Sequence, residues 1–235
     1  PLQVDGMRLA HLIIGALALS AGAARADDRL FLAGAEYADA AYYTYTGLVL
    51  PGPGRENGRG LFQRYWLDRY GYEYLGGPGA VEASVWGAEA ALGYGAGSEH
   101  GWWAVSLGVR YTDTDLTPDD PDAEARGSQV GGKLQVELEH ALSPAWRVGA
   151  MASYANQQNG YWGRARLMYG PTAVRSYGIE VVANGNDEAD STATGLVLSL
   201  RPAESKYTVS LKAGYRFQDD DYDGAYGGVE FGYGF

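Results

Sequence analysis

Residues 225–235 read Ala225-Tyr-Gly-Gly-Val-Glu-Phe-Gly-Tyr-Gly-Phe235, and their alternation decides the fold class. Ala225, Gly227, Val229, Phe231, Tyr233 and Phe235 share one face of an extended chain, while Tyr226, Gly228, Glu230, Gly232 and Gly234 share the other. Successive strand side chains point to opposite faces, so a period of two marks a strand. The first face is apolar and aromatic. The second carries a carboxylate among glycines.

The same alternation recurs upstream. Tyr207, Val209, Leu211, Ala213, Tyr215 and Phe217 oppose Thr208, Ser210, Lys212, Gly214 and Arg216. Trp103 to Tyr111, Val130 to Leu138, Trp146 to Tyr154 and Tyr161 to Tyr169 behave alike. Two features separate these strands from those of a soluble sandwich or a lipocalin-like barrel. The apolar face often begins and ends in an aromatic: Trp103 with Tyr111, Trp146 with Tyr154, Tyr161 with Tyr169, Tyr207 with Tyr215. Eight residues at ~3.3 Å each and ~40° tilt cover roughly 20 Å of height, the separation of two aromatic girdles around a lipid-facing band. The opposite face carries Lys, Arg and Glu, where a sandwich core is apolar.

Turn residues divide the chain into strands near 29–37, 41–50, 61–74, 81–95, 102–113, 128–142, 145–156, 160–169, 173–183, 191–201, 206–217 and 225–235. The expected fold is therefore all-β: an antiparallel up-and-down transmembrane barrel of about twelve strands. An even count puts both termini at one end, taken as periplasmic. Ser143-Pro144, Gly170-Pro171-Thr172 and Ala203-Glu204-Ser205 then form periplasmic turns, with 51–60 a longer exception. Asp113 to Gly127, Asn184 to Asp190 and Gln218 to Gly224 become outer loops and hold most of the excess acid. Val229, Phe231, Tyr233 and terminal Phe235 also suit the C-terminal insertion signal of such barrels.

The other end of the chain agrees with export. Met7-Arg8, the apolar run Leu9 to Ala21 and Ala24-Arg25-Ala26 have the order of a secretory signal peptide over 7–26. The run is too short for a membrane helix, which needs ~20 apolar residues. Residues 1–6 read as an upstream extension and 27–235 as the barrel. Without Asp5, Arg8 and Arg25 the chain keeps 16 basic and 28 acidic groups, which argues against nucleic-acid binding. It has no cysteine, hence no disulfide framework and no thiolate metal site. Glycine at 35 against proline at 9, with regular aromatics, does not suit a disordered chain.

In this register the lumen receives Glu36, Arg64, Asp68, Glu89, Arg110, Lys133, Glu137, Glu139, Arg147, Arg164, Arg166, Glu180, Arg201, Lys212, Arg216 and Glu230, seven acidic and nine basic groups. The plainest expectation is a cross-linking salt-bridge network, since buried charge is tolerated when paired. The functional alternative is a polar path for an ion or glycan. Trp66 and Trp162 point inward beside Arg64, Asp68, Arg110, Arg164 and Arg166, so these seven are the candidate glycan-contacting residues. Indole faces stack on sugar rings and the charged groups bond hydroxyls. A one-residue register slip would instead turn both indoles to lipid.

Catalytic, cofactor and metal sites are not expected. His11 lies in the leader, His100 in a periplasmic turn and His140 at a strand end, with only Ser143 near it. Asp219, Asp221, Asp223, Gly224 and Glu230 satisfy an EF-hand pattern. A strand beginning near Ala225 would carry Glu230 roughly 15–20 Å away from the loop, so a solvated acidic hairpin is the better reading.

Several stretches resemble the cellulose biosynthesis protein BcsS family of alphaproteobacteria. They are Phe31-Leu-Ala-Gly-Ala-Glu36-Tyr37, then Arg64-Tyr-Trp66-Leu-Asp68-Arg69 with Tyr72 and Tyr74, and Gly87-Ala-Glu89-Ala90. Arg110 to Pro121 with Arg126-Gly127, and Tyr161-Trp162 with Arg164 and Arg166, complete the set. The resemblance implies a non-enzymatic outer-membrane accessory of cellulose biosynthesis or secretion. It implies lipid as surroundings and cellulose or cellulose-synthase components as partners. A porin-like small-solute channel is the alternative, and an outer-membrane hydrolase or acyltransferase a more distant one.

Overall fold

The computed structural model describes residues 29–39, 41–76, 79–172, 174–185, 190–218 and 223–235. They form a closed antiparallel barrel of twelve strands in which each strand pairs with its sequence neighbours and β1 closes on β12. The strands are β1 (Leu30–Ala38), β2 (Ala41–Pro51), β3 (Gly60–Gly76), β4 (Gly79–Ser98), β5 (Gly101–Thr117) and β6 (Gly127–Ala141). They continue as β7 (Trp146–Ala155), β8 (Gly160–Tyr169), β9 (Arg175–Gly185), β10 (Asp190–Leu200), β11 (Tyr207–Gln218) and β12 (Gly224–Gly234). The closing seam runs from Leu30 opposite Gly234 to Ala38 opposite Tyr226. Closure leaves no unpaired strand edge, which lipid could not satisfy.

The expected faces hold. Val105, Leu107, Val109, Val136, Ile179, Leu196 and Leu211 are exposed on the outer wall, while Arg64, Asp68, Arg110, Arg164, Lys212 and Glu230 are buried inside. At the periplasmic end Trp146 packs on Tyr169 with ring centroids 5.0 Å apart, and Tyr169 on Tyr177 at 5.7 Å. This is one girdle. Tyr111, Tyr154, Tyr215 and Phe217 lie exposed toward the other end. The chain is an outer-membrane barrel.

Three boundaries differ from expectation. Strands β3, β4 and β5 run further outward, β5 as far as Thr117, because Thr114 is still buried while its neighbour Asp115 is exposed. The expected loop from Asp113 therefore shrinks to 118–126. Loop length separates the two ends less than expected: β1 to β2 and β3 to β4 are closed by outer connections as short as any periplasmic turn. The connections after β9 and β11 include 186–189 and 219–222, which lie outside the described residues, as do the leader and residues 1–6.

The turns carry local reasons. Asn57 and Gly58 both have positive φ, 49° and 78°. Glu56 and Arg59 exchange backbone hydrogen bonds of 3.1 and 2.9 Å across them. This is the two-residue hairpin geometry that Asn-Gly favours, and it orders the long 52–59 connection. Ser143 accepts the backbone N–H groups of Ala145 at 3.3 Å and Trp146 at 3.1 Å.

Candidate functional site: the barrel lumen

Inward positions of β3 to β6 build one charge cluster. Arg64 of β3 meets Glu89 of β4 at 3.1 Å and Glu137 of β6 at 2.7 Å, and donates to Ser106 of β5 at 2.8 Å. Lys133 reaches the other oxygen of Glu89 at 2.7 Å. One step outward, Arg110 grips both oxygens of Asp68 at 2.9 and 3.0 Å. Such fork-to-fork contacts are the strong form of the Arg–carboxylate pair. Three cations here meet three anions, Asp68, Glu89 and Glu137.

The second cluster joins β8, β9, β11, β12 and β1, strands spread over an arc of the wall. Arg166 of β8 donates to both oxygens of Glu230 on β12, at 2.9 Å each, and to Glu180 on β9 at 2.8 Å. Arg164 meets Glu230 at 2.9 Å. Lys212 and Arg216 of β11 both pair with Glu36 of β1, the latter at 2.7 Å. Tyr226 donates to Glu180 at 2.9 Å. Between β8 and β12 stand three strands. At ~4.8 Å per strand the wall path is far longer than the side-chain contact, so Arg166 and Glu230 meet across the lumen. Arg64, Arg164, Arg166, Glu180 and Glu230 are each at most 3% exposed. Ion-paired side chains are therefore packed in the middle of the barrel.

Aromatic rings fill the β2–β3 side of the lumen. The Tyr45 ring stacks on Trp66 at 4.6 Å and 13°, and Tyr43 lies 5.5 Å from Tyr45. Tyr70 and Tyr72 continue the column at 6.3 Å. The Trp66 indole N–H donates to Tyr43 at 3.1 Å. Gly47, opposite Trp66 in the register, leaves room for its ring: a Cβ there would overlap the indole. Trp66 is thus packed between Tyr45 and the β2 backbone. Trp162 sits differently. It stands 5.6 Å from the Arg164 guanidinium and lines a cavity of about 40 Å³ at the outer end, with Tyr70, Tyr72, Arg110, Gln129 and Lys133. Ala125 of the 118–126 connection also lines it.

The sequence pattern placed all seven candidate residues on the inner face, and all seven are buried. They do not form one site. Arg64, Asp68 and Arg110 belong to the first cluster, and Arg164 and Arg166 to the second. Trp66 is packed in the wall, and Trp162 with Arg110 faces the outer cavity. Of the other lumen charges, Arg147 pairs with Glu139 at 3.3 Å near the periplasmic mouth, and Arg201 is in a periplasmic turn. The lumenal tyrosines were missed, although Tyr43 and Tyr45 alternate on β2, and Tyr70, Tyr72 and Tyr74 share parity with Arg64, Trp66 and Asp68.

His100 is exposed beside Glu99 at 3.6 Å, and Ser143 is occupied as a turn acceptor. Asp219 and Asp221 of the EF-hand pattern lie outside the described residues. Glu230, its last position, is held by Arg164, Arg166 and Lys212 inside the lumen. Among the described residues no three His, Cys, Asp or Glu side chains are grouped to hold a metal ion.

A profile for cellulose biosynthesis protein BcsS matches residues 30–235, from the first strand to the last residue. The chain belongs to the BcsS family. No curated protein matches it. Its fold is similar to that of solved outer-membrane channels. The KdgM porin superposes with a TM-score of 0.52 at 9% identity, covering 88% of this chain and 99% of its own. A TodX monoaromatic hydrocarbon channel lacking S2 and S3 gives 0.55 at 8% identity, covering 88% and 90%. At such identity the likeness is one of fold. This BcsS chain shares the barrel with those channels, and its own lumen contacts decide what it does.

Proposed function

We propose that this BcsS barrel is a non-enzymatic, non-conducting accessory of cellulose biosynthesis that meets the glucan at its outer mouth. The observation that carries the reading is the buried ion pairing of Arg64, Arg164 and Arg166 with their carboxylates in the mid-lumen, beneath an outer cavity lined by aromatic and hydrogen-bonding side chains. A glucan chain needs ring faces to stack on and hydroxyl partners. Trp162, Tyr70, Tyr72, Arg110 and Gln129 carry both kinds of group around the small outer cavity, which has to widen before a sugar ring fits. The inner candidates, Arg64, Trp66, Asp68, Arg164 and Arg166, would hold this surface in place from below. Export through the 7–26 leader, with cleavage after Ala26, belongs to the same proposal.

The channel reading draws on the fold likeness and on cavities at both ends of the lumen. Planar-bilayer recording separates the two. The purified barrel is expected to insert without conductance steps; stable steps of porin size would overturn the non-conducting reading. In a cellulose-producing strain, deletion is expected to change extracellular cellulose. Unchanged output would remove the accessory role. Loss of that phenotype's rescue by His100→Ala or His140→Ala would revive the enzymatic alternative.

A further inference from the structure

The periplasmic end of the lumen opens into a cavity of about 470 Å³, within the usual range for ligand pockets. The ends of β6 to β11 wall it, with Pro144, Ala145, Pro171 and Thr172 of two turns. Four guanidiniums line it, from Arg147, Arg166, Arg175 and Arg201, against one carboxylate, Glu139. Arg166 is neutralised from the lumen side by Glu180 and Glu230. Arg147 pairs with Glu139. Among the described residues Arg175 and Arg201 have no ion pair, and the Arg201 guanidinium makes a 3.5 Å contact to the Ser205 carbonyl. The chain as a whole carries a net charge of −11. Its acid is concentrated at the opposite end, in Glu73, Glu82, Asp113, Asp115, Asp119 and Glu124. A basic pocket facing the periplasm runs against that balance.

We propose that this vestibule docks an acidic peptide segment of a periplasmic partner, with Arg175 and Arg201 as its carboxylate receptors and Arg147 at the rim. Planar guanidinium forks match carboxylates in two-point contacts. Thr172, Ser176 and Thr208 add hydroxyl partners. The choice of a peptide over a glycan rests on what the lining lacks. No aromatic ring lines the cavity, whereas Trp146, Tyr169 and Tyr177 of the same strand ends face lipid. A sugar would find no stacking surface. A lipid headgroup is walled off, because β6 to β11 stand between the pocket and the bilayer. Pro144 and Pro171 stiffen two of the framing turns, so the receptor is largely preformed.

The test uses fluorescein-labelled hexaglutamate and the purified full barrel in neutral detergent, read by fluorescence anisotropy. Saturable binding that weakens with salt is expected. Arg175→Ala with Arg201→Ala should weaken it about tenfold or more, since both proposed carboxylate receptors are lost. Arg55→Ala with Arg59→Ala removes equal charge from the same end outside the pocket and should change affinity less than about twofold. Equal losses in the two double variants would reduce the effect to diffuse charge attraction and overturn the proposal. So would absence of saturable binding, or tighter binding of an oligogalacturonate of equal charge. If the first double variant does not accumulate as a barrel, exposed Arg175→Ala alone carries the test. The outcome is independent of the glucan reading, which concerns the opposite mouth.

Discussion

Arg166 on β8 donates to both carboxylate oxygens of Glu230 on β12, at 2.9 Å each, across three intervening strands. The contact bridges two non-adjacent stretches of the wall inside the lumen. Removing one partner leaves a buried charge short of its counter-charge, which costs ~3–5 kcal/mol when burial is complete. Arg166→Ala is therefore expected to lower the temperature at which the barrel loses its heat-modifiable band on unboiled gels. Asp122→Ala, in the outer connection, is expected to change stability by less than ~0.5 kcal/mol. Equal thermal shifts in the two would show that the cross-lumen pair does not hold the walls together.

The same pair should govern permeability. If ion pairs close the mid-lumen, trimming both Arg166 and Glu230 to alanine removes charge and bulk together. The double variant is expected to show small conductance steps in planar bilayers where the parent shows none. A silent double variant, inserted at parental level, would place the closure in the aromatic column of β2 and β3 instead.

Gly47 tests that column. A Cβ at Gly47 would overlap the Trp66 ring, whereas one at Gly132 would meet nothing within 4 Å. Overpacking a filled interior costs ~1–3 kcal/mol. Gly47→Ala should destabilise the barrel in urea titrations by that order, and Gly132→Ala should not. A neutral Gly47→Ala would mean that the indole moves aside easily and that the stack is loose.

The fold was legible because lipid and lumen ask opposite things of alternate residues. Strands β5 to β8, β11 and β12 state their register in their own composition. What no strand states is its partner across the lumen. Arg164 and Glu230 are 66 positions apart, and their meeting depends on closure of the whole barrel. Trp66 illustrates the second limit. Parity turned it inward correctly, but only the β2 register shows that Gly47 and Tyr45 occupy its faces. Asp120 illustrates the third. In an acidic run it reads as solvated, yet it is 4% exposed and accepts the Tyr74 hydroxyl at 3.2 Å.

Asp120 is therefore not equivalent to exposed Asp122 in the same connection. Its carboxylate also accepts the Asp122 N–H at 3.4 Å, and Arg126 meets Asp119 at 2.9 Å within the same connection. Asp120→Ala should cost ~1–3 kcal/mol, the range for leaving a buried polar partner unmatched, and should increase protease cutting between 118 and 126. Cutting at the parental rate would show that the connection is not held through Asp120.

The outer cavity and the packed wall make opposite demands on their two tryptophans. Trp162 is as buried as Trp66 but borders the outer cavity of about 40 Å³, so a ligand could reach its ring only if that end of the lumen opens. Trp66 is covered on both sides, so its ring serves the barrel itself. Trp162→Ala is expected to lower extracellular cellulose while the barrel accumulates at parental level in the outer membrane. Trp66→Ala is expected to lower the amount of folded barrel first, because truncating a buried large aromatic costs ~3–5 kcal/mol. Cellulose should then fall only in proportion to the barrel that remains. Tyr72→Phe, which keeps the ring and removes a hydroxyl, should resemble the parent if stacking dominates, and Trp162→Ala if hydrogen bonding does. Normal cellulose from a Trp162→Ala, Tyr72→Ala double variant at parental barrel level would remove the outer cavity from the function and leave the lumen as scaffold alone.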